Sequence, residues 1–138
     1  TEDLQDLINN DSEKLRLINV WATWCAPCRI EYPEFVTIQR MFGARDFEFV
    51  SISADKLSKK ESALKFLESA NSAVENHIAT NDDKYALIEA IDPEWNGALP
   101  YTMLIEPGGN VVWSYQGEVD FLDLKKTIVE HRMIGRVY

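Results

Sequence analysis

Cysteine is scarce in this chain: Cys25 and Cys28 are the only two among 138 residues. That excludes a scaffold stapled by several disulfides, and it excludes a four-thiolate zinc site. Histidine is as scarce, and His77 and His131 are isolated, so neither completes a metal site with the cysteines and neither is assigned a role. Basic residues are few: 14 Lys and Arg against 23 Asp and Glu leave a net charge of −9. This disfavours nucleic acid, whose phosphates call for clustered cations, and equally an anionic membrane surface. No apolar run approaches the length of a transmembrane helix, so no membrane insertion is expected of this segment. No signal peptide is present, no internal repeat and no low-complexity stretch. The chain opens at Thr1-Glu2-Asp3 without a methionine, which leaves open a signal, an anchor or a further domain upstream. With 46% apolar and 27% charged residues, 1–138 reads as a single globular domain, long enough to bury a core.

What the chain does have is Trp24-Cys25-Ala26-Pro27-Cys28, just after the apolar run Leu15–Trp21 and at the head of a segment with helical periodicity. Zinc is excluded by the missing second pair of ligands. A c-type haem would need histidine directly after the second cysteine, where Arg29 stands. A purely structural disulfide would close too small a loop to remove much chain entropy. A reversible redox couple remains. The positive end of a helix and its unpaired N–H groups favour a thiolate. Cys25, nearer the helix start and next to the Trp24 loop, is expected to be the attacking thiol. Cys28, one turn deeper, is expected to resolve the mixed disulfide.

The hydrophobic pattern orders the elements. Leu4, Leu7 and Ile8 suggest a short amphipathic helix, broken by Asn9-Asn10-Asp11-Ser12. Leu15–Trp21 and Phe47–Ser53 read as strands. Between them 25–42 reads as a helix with Phe35, Ile38, Met41 and Phe42 inward, a kink at Pro33 and a stop at Gly43. A helix follows within 56–71, with Ala63, Phe66, Leu67 and Ala70 on one face. The stretch 72–81 is ambiguous, and 82–91 looks helical with Tyr85, Leu87, Ile88 and Ile91 apolar. After the loop 92–97, Tyr101–Ile105 and 111–115 flank Pro107-Gly108-Gly109-Asn110 as a hairpin. Phe121, Leu124, Ile128 and Met133 mark a closing helix. This order predicts an α/β sandwich: a mixed central β-sheet flanked by helices, with the first two strands parallel.

The run Leu17-Ile18-Asn19-Val20-Trp21-Ala22-Thr23-Trp24-Cys25-Ala26-Pro27-Cys28-Arg29-Ile30-Glu31-Tyr32-Pro33 resembles the thioredoxin superfamily, and more narrowly the TlpA/ResA-type thiol-disulfide oxidoreductases of bacteria. Asn19, where thioredoxin itself has a buried aspartate, and Glu31, three residues after Cys28, carry the narrower resemblance. A second block, Ala98-Leu99-Pro100-Tyr101-Thr102-Met103-Leu104-Ile105-Glu106-Pro107-Gly108-Gly109-Asn110, matches that family's cis-proline strand and following hairpin. The resemblance implies a thioredoxin-like topology with the Cys-bearing strand central. It also implies an extra N-terminal β-hairpin, which the helical pattern here contradicts, and extra structure between 56 and 91.

For the residues, the resemblance implies that Glu31 relays the Cys28 proton; the plain reading is a solvated residue near a helix start. It implies a cis Leu99–Pro100 bond whose backbone pairs with an extended substrate; the plain reading is a strand-start proline. Trp24 and Trp95 are candidates for an apolar rim at the cysteines, although Trp95 can equally pack under its loop, while Trp21 and Trp113 read as core. Pro27 is expected to tune the redox potential.

The expected function is thiol-disulfide oxidoreduction by a bacterial, extracytoplasmic domain, reducing protein disulfides through Cys25 and Cys28 without a cofactor. The expected partners are protein or small-molecule disulfide and dithiol substrates and a redox-partner protein, with the domain acting as a monomer. The alternative is a non-catalytic or redox-sensing domain of a larger protein. A thiol peroxidase is disfavoured because Ile18 and Ala22 stand where its proline and hydroxyl residues belong, and a copper chaperone because the cysteine spacing is one residue short. Dithiol couples of this kind span about −270 to −120 mV, so the direction of electron flow stays open.

Overall fold

Leu15–Trp21 forms strand β1, and all seven of its residues are buried in the computed structural model, which describes residues 2–72, 75–78 and 84–134. Burial on both faces explains why this strand reads as a nearly continuous apolar run. Its one cation, Arg16, is held by Glu48, which accepts from both Nε (2.9 Å) and Nη2 (2.7 Å), and by the Leu7 carbonyl at 2.9 Å. β1 lies at the centre of a five-stranded sheet of order β3-β2-β1-β4-β5. Its neighbours are β2 (Phe47–Ser53), parallel, and β4 (Tyr101–Ile105), antiparallel. β3 (Glu75–Ile78) runs parallel to β2, and β5 (Val111–Gln116) antiparallel to β4.

The period of two along the strands sorts the core into two layers. Leu15, Leu17, Trp21, Phe47, Phe49 and Leu104 face α2 (Ala26–Phe42), α3 (Lys60–Ser69) and α5 (Phe121–Glu130). Ile18, Val20, Val50, Ile52, Met103 and Ile105 face α1 (Glu2–Asn9) and α4 (Lys84–Ile91). The mixed, helix-flanked sheet and its central first strand agree with the expected architecture. The N-terminal element is a helix, with Leu4 and Leu7 buried in the second layer.

Four details differ from the sequence expectation. Met41 is half exposed: it continues the solvent-facing i, i+3, i+7 stripe of Glu34 and Thr37 rather than the stripe of Phe35, Ile38 and Phe42. Tyr85 is 81% exposed, on the side of α4 away from the buried Leu87, Ala90 and Ile91. The ambiguous stretch contains β3, too short and polar to show a strand pattern; the rest of it, 73–74 and 79–81, lies outside the described residues, as do 82–83. Gly43 does end α2, but with right-handed φ −63°. Glycine is needed there because a Cβ would stand 2.6 Å from the Gln39 carbonyl oxygen.

The hairpin turn between β4 and β5 docks on the end of α1 through Asn10. This residue has φ 45°, is fully buried, and donates from Nδ2 to the carbonyls of Lys14 and Ile105, each at 2.9 Å. Its own carbonyl accepts from Gly108 N–H at 2.8 Å. Asn10→Ala removes the donor to a buried carbonyl and places alanine in the left-handed region. It is expected to lower stability by about 2–3 kcal/mol, read as a lower urea midpoint at unchanged slope.

Candidate active site

The cysteines sit where β1 hands over to α2. Beyond Trp21 the chain turns tightly, with Cys25 N–H donating to Ala22 O at 3.1 Å. Cys25 is the N-cap residue of α2 and has extended backbone angles. Its sulfur takes the place that a serine or aspartate oxygen usually fills, accepting from Cys28 N–H at 3.3 Å. Pro27 occupies the first turn, where its missing N–H leaves nothing unpaired. Cys25 and Cys28 are joined in a disulfide with their Cα atoms 5.3 Å apart. Cys25 retains 6% exposure and Cys28 none, whereas Trp24 beside them is 70% exposed.

An aromatic cluster fixes the helix against the sheet. Trp21 lies 5.5 Å from Tyr32 and 5.0 Å from Phe66, centroid to centroid, and Phe35 stacks on Phe49. Trp21 Nε1 also donates to Ser51 Oγ at 2.7 Å. Trp113, expected in the core, lies on the edge strand β5 and is only partly buried against the first layer.

Glu31, one turn past Cys28, is 6% exposed. Its Oε1 accepts from Val119 N–H at 2.9 Å, while its buried Oε2 has no partner among the described residues. Burial pushes its carboxyl group up to about 7; the Val119 hydrogen bond opposes this and the neighbouring Glu118 charge adds to it. An orphaned, buried acceptor favours the protonated form, which supplies a donor instead. Asn19 lies on the sheet face that α2 covers. It is fully buried and donates to Thr102 Oγ1 at 3.2 Å, and its Oδ1 is also unpartnered.

The Leu99–Pro100 bond is cis. Because Val20 pairs with Tyr101, Pro100 lies beside the end of β1 that carries the cysteines. Leu99 is half-buried and packs against both layers. Trp95 does not join Trp24 at the rim. It is 5% exposed within the second layer, stacked on Tyr101 at 5.0 Å, and its Nε1 donates to Ala98 O at 2.9 Å. Its indole is consumed by packing, so it holds the 92–98 loop from below.

Two features of the site were not legible in the sequence. The segment Gly117-Glu118-Val119 ties the proline to the glutamate: Gly117 N–H donates to Pro100 O at 2.8 Å and Val119 N–H to Glu31. Gly117 has φ 103°, which suits glycine. The second is Asp55, 1% exposed. Its carboxyl group accepts from Thr23 N–H (3.0 and 3.1 Å), Thr23 Oγ1 (2.7 Å) and Ser53 Oγ (2.6 Å), clamping the loop before Cys25 to the end of β2. The available signal was position: loops at the C-terminal ends of parallel strands build sites in α/β sheets.

Among the described residues no three His, Cys, Asp or Glu side chains group to hold a metal. His131 is engaged by Glu106, with Nε2 and Oε2 2.7 Å apart.

A cysteine pair at the head of a helix on a mixed sheet, with a cis proline at the same end of the neighbouring strand, defines a thioredoxin-like redox domain. The chain belongs to the Redoxin family, whose profile matches residues 2–128. It is similar to the thiol-disulfide oxidoreductase ResA of Bacillus subtilis (strain 168), 30% identical over 69% of this chain and 49% of that protein. It is also similar to the thiol:disulfide interchange protein DsbE of Xylella fastidiosa (strain 9a5c), 27% identical over 86% of this chain and 52% of that one. The chain thus spans about half the length of these relatives. Among solved structures, a DsbF homologue from Corynebacterium diphtheriae shares the fold with a TM-score of 0.73 at 21% identity, covering 88% of this chain and 74% of its own.

If Asp55 holds the pre-cysteine loop, Asp55→Ala leaves the Thr23 amide without its acceptor. The variant is expected to lose about 2–3 kcal/mol of stability by urea unfolding. Faster hydrogen exchange is expected at the Thr23 and Trp24 amides than in the sheet. Protection there equal to that of the parent would remove the clamp.

Proposed function

We propose that this domain is a thiol-disulfide oxidoreductase that reduces protein disulfides by dithiol exchange and works outside the cytoplasm. The observation that carries the reading is the Cys25–Cys28 disulfide at the α2 N-cap with the half-satisfied carboxyl group of Glu31 one turn behind it. The similarity to ResA and DsbE supports the chemistry, and the resemblance to TlpA/ResA-type proteins implies the compartment.

In the reduced protein the Cys28 N–H and the helix dipole favour a Cys25 thiolate. That thiolate attacks one sulfur of the substrate disulfide. A Cys25–substrate disulfide forms, the substrate S–S bond breaks, and the departing sulfur leaves with the electron pair and takes up a proton. Cys28 then loses its proton to Glu31, and its thiolate attacks the Cys25 sulfur. The second substrate sulfur leaves with the electron pair and takes up a proton, and the Cys25–Cys28 disulfide closes. The substrate has gained two electrons and two protons, and a reducing dithiol partner restores the cysteines. Pro100 and the adjoining backbone of Leu99 offer the edge against which an extended substrate segment lies.

Turnover of insulin or another protein disulfide separates this reading from a redox-sensing domain, which would oxidise once and stop. Cys25→Ser is expected to abolish turnover and Cys28→Ser to accumulate mixed disulfides. Iodoacetamide is expected to label Cys25 first in the reduced protein; faster labelling of Cys28 would reverse the assignment.

Glu31 carries a pH signature. Only the ionised carboxylate accepts a proton, so the resolving step is expected to accelerate as pH rises through about 7, and Glu31→Gln to flatten that rise. The sign for stability is opposite. The folded protein holds the Glu31 proton more tightly than the unfolded chain, whose value is 4.5. The favourable contribution is therefore present below 4.5 and lost as pH climbs past about 7. Glu31→Gln is expected to raise the urea midpoint relative to the parent at alkaline pH and to match it in acid. Overlaying rate profiles would return Glu31 to a structural role.

A further inference from the structure

β1 lies between β4 and β2, so the disulfide at its end has two flanks. The β4 flank is Pro100. The β2 flank begins at Asp55, which is bonded to Thr23 of the loop that carries Trp24 and is followed in the chain by Lys56 and Leu57. Within ten residues, 56–65, stand four lysines, Lys56, Lys59, Lys60 and Lys65, with one acid, Glu61. All four lysines are exposed, and none makes an ion pair with another described residue. The rest of the chain is acidic enough to leave the whole at −9.

Folding does not account for these lysines. A 3-10 turn, Leu57–Lys59, and then α3 begin here, with Lys56 and Lys59 as their N-cap residues, and neither side chain caps. Cations at a helix start oppose its dipole, and serine, threonine or aspartate would cap it. Local rules broken in this way concentrate at sites that serve something other than stability. Apolar surface accompanies the charge: Trp24 is 70%, Leu57 48% and Leu64 47% exposed. A groove of about 110 Å³ continues from Ser53, the Asp55 partner, between Lys60, Leu64 and Leu67 on one side and Ile78 on the other.

We propose that this lysine-rimmed flank docks the protein partner, and that the partner presents an acidic segment with an apolar side chain next to its reacting cysteines. This rests on the dithiol-exchange reading above. Carboxylates of the partner lie over Lys56, Lys59 and Lys60, and its apolar side chain covers Leu57 or enters the groove. The argument is charge complementarity joined to the redox site. An acidic partner is repelled by the net charge of −9 and attracted at this flank. At physiological salt, charges are felt over only about 8 Å, so the local patch outweighs the global charge. The attraction thereby selects the orientation in which the partner's sulfur meets Cys25.

The test uses the reduced protein and two synthetic peptides, each with one internal disulfide. One is flanked by Asp, Glu and Leu, the other by Lys and Leu. Rates are divided by each variant's rate with hydroxyethyl disulfide, which is uncharged. For the parent at about 150 mM salt the acidic peptide is expected to react several-fold faster than the basic one, the gap closing at about 1 M. Lys59→Glu/Lys60→Glu is expected to erase or invert the preference while its thermal midpoint stays equal or rises. Lys14→Glu/Arg40→Glu makes the same charge change away from this flank and is expected to keep the preference. No preference in the parent, or equal loss in both double variants, would overturn the proposal. So would association of the parent with phosphatidylserine vesicles, lost in Lys59→Glu/Lys60→Glu, without any peptide preference; that would assign the lysines to a membrane surface. Failure to reduce either peptide or hydroxyethyl disulfide would instead remove the oxidoreductase reading on which the proposal rests.

Discussion

Burial of β1 along its whole length is the constraint on which the rest depends. Seven consecutive buried residues require a strand on each side and helices on both faces. The end of that strand becomes the one point from which several elements are within reach. The four residues after Trp21 lead to the N-cap cysteine. Parallel β2 brings Asp55 to the same end, and antiparallel β4 brings Pro100. The hairpin partner β5 then returns Gly117 and Val119 to Pro100 and Glu31. Residues from five parts of the chain meet there because one strand has no exposed face.

The same burial sets the chemistry of the carboxyl group. Glu31 is on the inward face of α2, where the helical spacing that buries Cys28 and Tyr32 also buries position 31. A leucine there would be more favourable for packing, and a glutamate with one satisfied oxygen carries a desolvation cost. A carboxyl group held near neutrality, about 7, one helical turn from Cys28 is what the proposed proton relay requires. Asn19 on the same face keeps that arrangement simple. A second buried acid there would couple to the first and split their titrations. A neutral amide bonded to Thr102 does not.

Sequence patterns resolved whatever is repeated locally. β1 and β2 were legible to the residue because their apolar runs are bounded by polar turns, and the cysteine pair because its spacing has few chemical uses. β3, with Glu75-Asn76-His77-Ile78, carries no alternation to read and exists because β2 offers it a parallel partner. Asp55 and Val119 were not legible for a different reason. Each acts on a residue 32 or 88 positions away, and Val119 does so through a backbone N–H that any side chain would leave in place. Trp95 shows the limit of composition. An indole in a loop near a redox centre suits either a rim or a core, and only the stacking on Tyr101 decides it.

With Trp95 turned inward, the approach to Cys25 is bounded differently on its two sides. On the β4 side the proposed contacts are backbone groups at Leu99 and Pro100, which an extended segment would use regardless of its side chains. On the β2 side they are exposed lysines and leucines after Asp55, which discriminate by charge and apolarity. Backbone pairing supplies affinity without choice, and a one-signed rim supplies choice with little affinity. The proposed reductant needs both, because its mixed disulfide must form with a defined partner and then be released. The Asp55–Thr23 clamp ties the end of β2 to the loop that bears Trp24, and in the proposed docking it would hold the partner at a fixed offset from the sulfur. On the proposed docking, specificity follows from the loop after β2 and reactivity from the helix after β1.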